Sequence, residues 1–223
     1  MKRIIAIVTA LALLIALAGC SANNSTKETA APASATTAQA DGTKTDTPEK
    51  ASGSKALVVY FSRTGEQYGV GVIEKGNTAI VADMIVEQTG ADSFEILPKT
   101  DNYPTTYKEL TDVAKEEQNQ NARPAIKDTV QNLEQYDTIY LGYPIWWGDL
   151  PMICYTFLEC YDFSGKTIIP FCTHAGSGNA GTQSKIQSAA PNATVKEVLA
   201  IKGTDTQNDP DSVKTAVTEW LNK

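Results

Sequence analysis

From Lys55 onward the apolar positions of the chain switch between two periods. Ala56–Phe61, Ser93–Leu97, Thr138–Gly142, Thr167–Phe171 and Val195–Ile201 are short β-rich runs that predict strands. The first, third and fourth are apolar throughout, as expected of parallel strands covered on both faces. Between them, Thr78–Thr89, Thr106–Asn119, Leu150–Tyr161, Gly181–Ala189 and Ser212–Asn222 read as helices. Thr78–Thr89 sets Ile80, Val81, Met84, Ile85 and Gln88 at helical spacing, and Asp209-Pro210-Asp211 supplies a cap candidate with proline near the first turn. Five strands alternating with five helices predict an α/β fold, a doubly wound five-stranded parallel sheet with helices on both faces. Such sheets bind ligands beyond the carboxyl ends of their strands, where the winding reverses. The loops after the first, third and fourth strands are therefore the ones to inspect.

The N-terminal fifty residues follow another pattern. Lys2 and Arg3 precede an apolar run, Ile4–Ala18, too short for a comfortable membrane span, so residues 1–20 read as an export leader. The run ends in Leu17-Ala18-Gly19-Cys20, which resembles the bacterial lipobox. That resemblance implies cleavage before Cys20, acylation of Cys20, and anchoring by lipid to the outer face of the bacterial cytoplasmic membrane. The alternative is an ordinary leader with an incidental cysteine. Residues 21–54 hold almost no large apolar side chain and predict a disordered tether, reaching on the order of 30 Å. Residues 55–223 suit one domain with a substantial core.

The first loop, Phe61-Ser62-Arg63-Thr64-Gly65, is separated by ten residues from Gly76-Asn77-Thr78, where the first helix opens. Small residues let backbone N–H groups approach an anion, the hydroxyls of Ser62, Thr64 and Thr78 can join them, and the helix presents its positive end. The loop suits a phosphate, but it also suits an ordinary turn. The loop after the third strand, Gly142-Tyr143-Pro144-Ile145-Trp146-Trp147-Gly148, holds two adjacent tryptophans that cannot both be buried. Either one offers its face to a flat ligand, or both cap the core. The loop after the fourth strand, Thr173-His174-Ala175-Gly176-Ser177-Gly178, is rich in accessible N–H groups. His174 is a candidate hydrogen-bond donor or proton relay there, and otherwise a surface histidine.

Charge and cysteine content narrow the chemistry. Residues 55–223 carry 14 Lys and Arg against 22 Asp and Glu, a net charge of −8. Such acidity disfavours nucleic acid, which demands basic patches. One histidine and no Cys-x-x-Cys pair argue against a zinc centre or any other metal site, and Cys154, Cys160 and Cys172 read as small core residues. No Ser-His-Asp set or paired carboxylate suggests hydrolysis.

Taken together, the three loops resemble the FMN loops of the flavodoxin-like family, in order, over about residues 55–203. The resemblance implies strand order 2-1-3-4-5 and FMN as cofactor. It implies that Ser62, Thr64, Asn77 and Thr78 hold the phosphate, with Arg63 and Gly65 completing that loop. Pro144, Ile145, Trp146, Trp147 and Gly148 would flank the isoalloxazine on one side, with Thr173, His174, Ala175 and Gly176 on the other. The chain departs from the family in its first loop, which normally runs straight from Thr-Gly into Asn-Thr; here Glu66–Lys75 intervenes. Insertions into surface loops are thermodynamically cheap, so the cradle survives if its halves converge. The insert is either a flap over the flavin, with Tyr68 as its aromatic, or a protruding hairpin. The function expected is that of a membrane-tethered FMN redox protein. It would transfer electrons to a redox partner protein, or reduce a small acceptor such as a quinone with NAD(P)H. The alternative is a tethered module that no longer holds FMN.

Overall fold

The computed structural model describes residues 55–223; the leader, the Cys20 lipid site and the 21–54 tether lie outside the described residues. In chain order the elements are β1 (Ala56–Tyr60), β2 (Gly65–Gln67), β3 (Gly71–Ile73), α1 (Asn77–Thr89), β4 (Asp92–Glu95) and α2 (Tyr107–Asn119). There follow β5 (Thr138–Pro144), α3 (Met152–Cys160), β6 (Thr167–His174), α4 (Thr182–Ala189), β7 (Thr194–Val195), β8 (Leu199–Lys202), α5 (Gly203–Asn208) and α6 (Pro210–Leu221).

The main sheet is parallel and ordered β4-β1-β5-β6, with β7 and β8 both paired to β6. Counted by the sheet's own strands this is 2-1-3-4-5, the predicted order, with the last strand in two pieces. Proline explains the break. The carbonyls of Lys166 and Ile168 accept from Thr194 and Lys196 at 2.9 Å each, so by alternation Pro170 faces the same neighbour. Pro170 has no N–H to offer it, and the ladder resumes only at Phe171.

The apolar runs are continuous because the sheet is covered on both faces. Leu57, Val59 and Phe61 join Ile139, Leu141 and Tyr143 beneath Leu110 of α2, Ile153 and Phe157 of α3, and Ile186 of α4. Val58 points the other way, to Phe171, Ile201, Val81 and Ile85 of α1, and Val213 and Val217 of α6. Each such side chain contributes about 1.5–3 kcal/mol when fully buried. Gly142 is required at the crossing, since a Cβ there would sit 2.2 Å from the Phe171 ring. The predicted entry to α6 forms as read, with Asp209 accepting from Ser212 N–H at 3.2 Å.

Other expectations need correction. Cys154 and Cys172 are buried, but Cys160, at the last turn of α3, is exposed and not a core residue. β5 and β6 run on to Pro144 and His174, which puts Thr173 and His174 on a strand rather than in a loop. α5 was not anticipated. The insert forms a separate antiparallel pair, β2 with β3.

Candidate functional site

β1 lies between β4 and β5, so the winding reverses at its carboxyl end. There the two halves of the split first loop meet. Pairing of Gly65 with Ile73, Glu66 with Val72 and Gln67 with Gly71 closes the insertion at its base. Ser62 Oγ accepts from Ala79 N–H at 3.1 Å, capping α1 from the strand side. The fit is tight: a Cβ on Gly76 would lie 2.1 Å from Ser62 Oγ and 2.6 Å from the Arg63 carbonyl. Thr78 and Thr173 share a buried hydroxyl pair at 2.8 Å, locking α1 to β6. With Ala79 N–H taken by Ser62, the Asn77 and Thr78 amides of α1 have no acceptor among the described residues and can serve an anion.

The other end is built on a turn. Trp146 and Asp149 exchange backbone hydrogen bonds at 2.9 and 3.0 Å, leaving Trp147 (φ 52°) and Gly148 (φ 73°) at its centre. Two successive positive φ values give type I′ geometry, which favours Asn-Gly and disfavours a bulky residue. Trp147 is held there at a cost and is 55% exposed. Its Nε1 donates to the Thr111 carbonyl of α2 at 2.8 Å, and Lys115 stands 5.3 Å over its ring. Trp146 is half-buried, edge-on to Phe61 and Tyr103 at 5.4 and 5.6 Å. Trp146 packs on the core and Trp147 faces outward, so the reading in which both cap the core does not hold.

Between these ends lies a cavity of about 320 Å³. Asn77 and Gly203 line one end; Pro144, Ile145, Trp146, Trp147, Thr173, His174 and Ala175 form the sheet side. Tyr107, Leu110, Thr111 and Ala114 of α2 form the opposite wall, with Gln67 and Tyr68 of the hairpin beside them. The hairpin does not protrude freely. Glu66 N–H donates to the Thr105 carbonyl at 2.8 Å, and its carboxylate accepts from Tyr107 N–H at 2.8 Å. A Cβ at Gly69, near its tip, would meet Thr204 Cγ2 at 3.2 Å. The insert thus runs from the start of α2 to α5.

His174 is held in one tautomer. Its Nδ1 accepts from Gly176 N–H at 3.0 Å, which leaves the ring proton on Nε2. Burial, and then the charge of Lys202, push the imidazole below its ordinary pKa, with Asp205 opposing. At neutral pH it is therefore a neutral donor on the cavity wall.

The flavodoxin family model matches residues 55–223. This chain belongs to the flavodoxin family. A putative flavoprotein from Bacteroides uniformis is 31% identical over 77% of this chain and 99% of its own, with TM-score 0.61. One from Bacteroides eggerthii is 30% identical over 76% and 97%, also with TM-score 0.61. A flavoprotein from Lactobacillus acidophilus, solved in complex with FMN, is 21% identical over 72% and 99%, with TM-score 0.55, and shares the fold. No curated protein matches.

FMN is the cofactor of flavodoxins, and the residues of this member fit it. The cavity is of small-molecule size, with helix amides and hydroxyls at one end and an exposed indole at the other. Of the residues expected from sequence, Asn77, Pro144, Ile145, Trp146, Trp147, Thr173, His174 and Ala175 are on its wall. Ser62, Thr64, Gly65, Thr78, Gly148 and Gly176 flank it without lining it. Arg63 is drawn elsewhere: its guanidinium donates to Asp101 at 2.9 and 3.0 Å and to the Tyr103 carbonyl at 3.2 Å. The Arg63 side chain is thus a strut between loops, its charge turned to Asp101. Sequence reasoning missed the wall from α2, although Tyr107, Leu110, Thr111 and Ala114 stand at i, i+3, i+4 and i+7. It also missed Gly203, whose signal was a fourth small and polar segment, Gly203–Asn208, directly after the last strand.

Proposed function

We propose that this flavodoxin is a membrane-tethered FMN redox protein that passes electrons to a small planar acceptor such as a quinone. Bound FMN supplies the redox chemistry, and the protein positions it and controls access. On this reading the Asn77 and Thr78 amides of α1 and the Ser62 hydroxyl hold the phosphate, and Trp147 covers the ring. His174 offers its Nε2–H to a polar ring edge, with its other nitrogen fixed by Gly176. The hairpin acts as a flap, Tyr68 standing 5.9 Å from Tyr107 at the cavity mouth. Trp147 carries the proposal: an exposed indole is held in an unfavourable backbone conformation on the wall of the same cavity that Asn77 of the anion-binding turn lines. The FMN complex of the Lactobacillus protein of the same fold supports the choice of cofactor. Three exposed aromatics, Tyr68, Tyr107 and Trp147, gathered at one cavity support a small planar acceptor over a docked protein carrier.

Tethering at Cys20 rests on the leader sequence. One fractionation tests both parts. Membranes from cells expressing the full chain should hold protein-bound flavin absorbing near ~450 nm and oxidise NAD(P)H with a quinone. Cys20→Ala should move that flavoprotein to the soluble fraction. No bound flavin after incubation with FMN would overturn the redox reading, and a Cys20→Ala protein still in the membranes would overturn the tether.

A further inference from the structure

The side-chain amide of Asn77 has only one orientation compatible with its neighbours, and α5 imposes it. Gln207 places its amide nitrogen 3.1 Å from the Lys75 carbonyl. A carbonyl only accepts, so the Gln207 atom facing it is the NH₂ group. That same nitrogen lies 2.8 Å from the Asn77 side chain, and the Asn77 atom it meets must therefore be Oδ1. Thr206 adds its hydroxyl 2.8 Å from the same oxygen, although its single proton is shared with the Gly203 carbonyl at 2.7 Å. With Oδ1 committed to α5, the two N–H donors of Asn77 Nδ2 are turned the other way. Among the described residues they have no acceptor. Nδ2 stands against Gly203, where a Cβ would come within 2.5 Å, and both residues line the cavity.

We propose that Gln207, seconded by Thr206, is a positioning residue that fixes Asn77 as a donor to the FMN phosphate, so that discrimination of FMN from riboflavin depends on a residue that touches neither. Donors already aimed at an anion lose no freedom on binding it, which is the gain from a preset amide. Without Gln207 the amide can turn its oxygen to the phosphate, and a helper becomes a repellent. The inference rests on the FMN reading above.

The test is a flavin-fluorescence titration of the full chain with FMN and with riboflavin, for wild type, Gln207→Met, Asn77→Ala and the double variant. Gln207→Met should weaken FMN about tenfold, the scale of one charge-assisted hydrogen bond, and leave riboflavin unchanged. In the Asn77→Ala background the same change should no longer alter the FMN-to-riboflavin ratio. Equal weakening of both flavins would reduce Gln207 to a general structural role. An undiminished FMN preference in Gln207→Met, or a full effect in the absence of Asn77, would equally overturn the proposal. Failure of the wild type to bind FMN would instead count against the reading on which it rests. Thr206→Val, nearly isosteric at a buried position, should give a smaller loss of the same kind, and Thr206→Ser should restore it.

Discussion

The two ends of the cavity are made by opposite means. At the α1 end every group is fixed from behind: Ser62 caps the helix, Thr78 and Thr173 are buried against each other, and Gly76 has no room for a methyl. At the Trp147 end the decisive side chain sits on a two-residue turn in solvent, and Gly148 beside it has nothing within 4 Å of a would-be Cβ. An anion needs fixed donors and tolerates no slack, whereas a flat ring needs only a surface to lie against. The contrast teaches that the same chain can make one end of a site by packing and the other by local backbone geometry.

Two glycines give the strongest break in that comparison. Gly76→Ala should destabilise the apo protein by ~1–3 kcal/mol in denaturant unfolding and abolish FMN binding, because the methyl strikes Ser62 and the Arg63 backbone. Gly148→Ala meets no neighbour and should lose only ~1 kcal/mol, from its φ of 73°, while still binding FMN. Similar losses from both would erase the distinction between the two ends. Next in size, Trp147→Ala should weaken FMN by ~1–3 kcal/mol in a spectral titration, with the unfolding midpoint almost unmoved. If instead the midpoint collapses and affinity holds, Trp147 belongs to the core and not to the site.

The smallest effect concerns His174. Its folded pKa is lowered from 6.5, chiefly by burial and then by Lys202. As pH falls below 6.5 the unfolded chain takes up this proton first, so the contribution of His174 to stability is present above that value. It is lost as pH falls through the lowered folded value. His174→Gln should therefore flatten the decline of Tm as pH falls below 6.5 relative to wild type. Parallel Tm curves for the two proteins would show that the histidine is not held neutral.

Three of the strands were legible because parallel strands buried on both faces leave uninterrupted apolar runs such as Leu57–Phe61. The three loops were legible because glycine, hydroxyls and paired tryptophans are poor core material. What stayed hidden depends on long-range partners. Leu110 and Ala114 look alike on an amphipathic helix whether it covers a core or a cavity. Arg63 reads as an anion ligand until Asp101, 38 residues away, takes its charge. α5 has six residues and no apolar period to announce it. The break in the last strand is visible only once Pro170 is known to face it.

The bond between Gln207 and Asn77 joins residues 130 positions apart. A chain made from its N-terminus has its first strand, its tryptophan turn and its histidine in hand before residue 207 arrives. Such distant closures come late in folding. With Gln207 presetting Asn77 as proposed, capture of the phosphate is tied to completion of the chain, and a product truncated ahead of α5 would lack the last fastening of the flavin's anionic end.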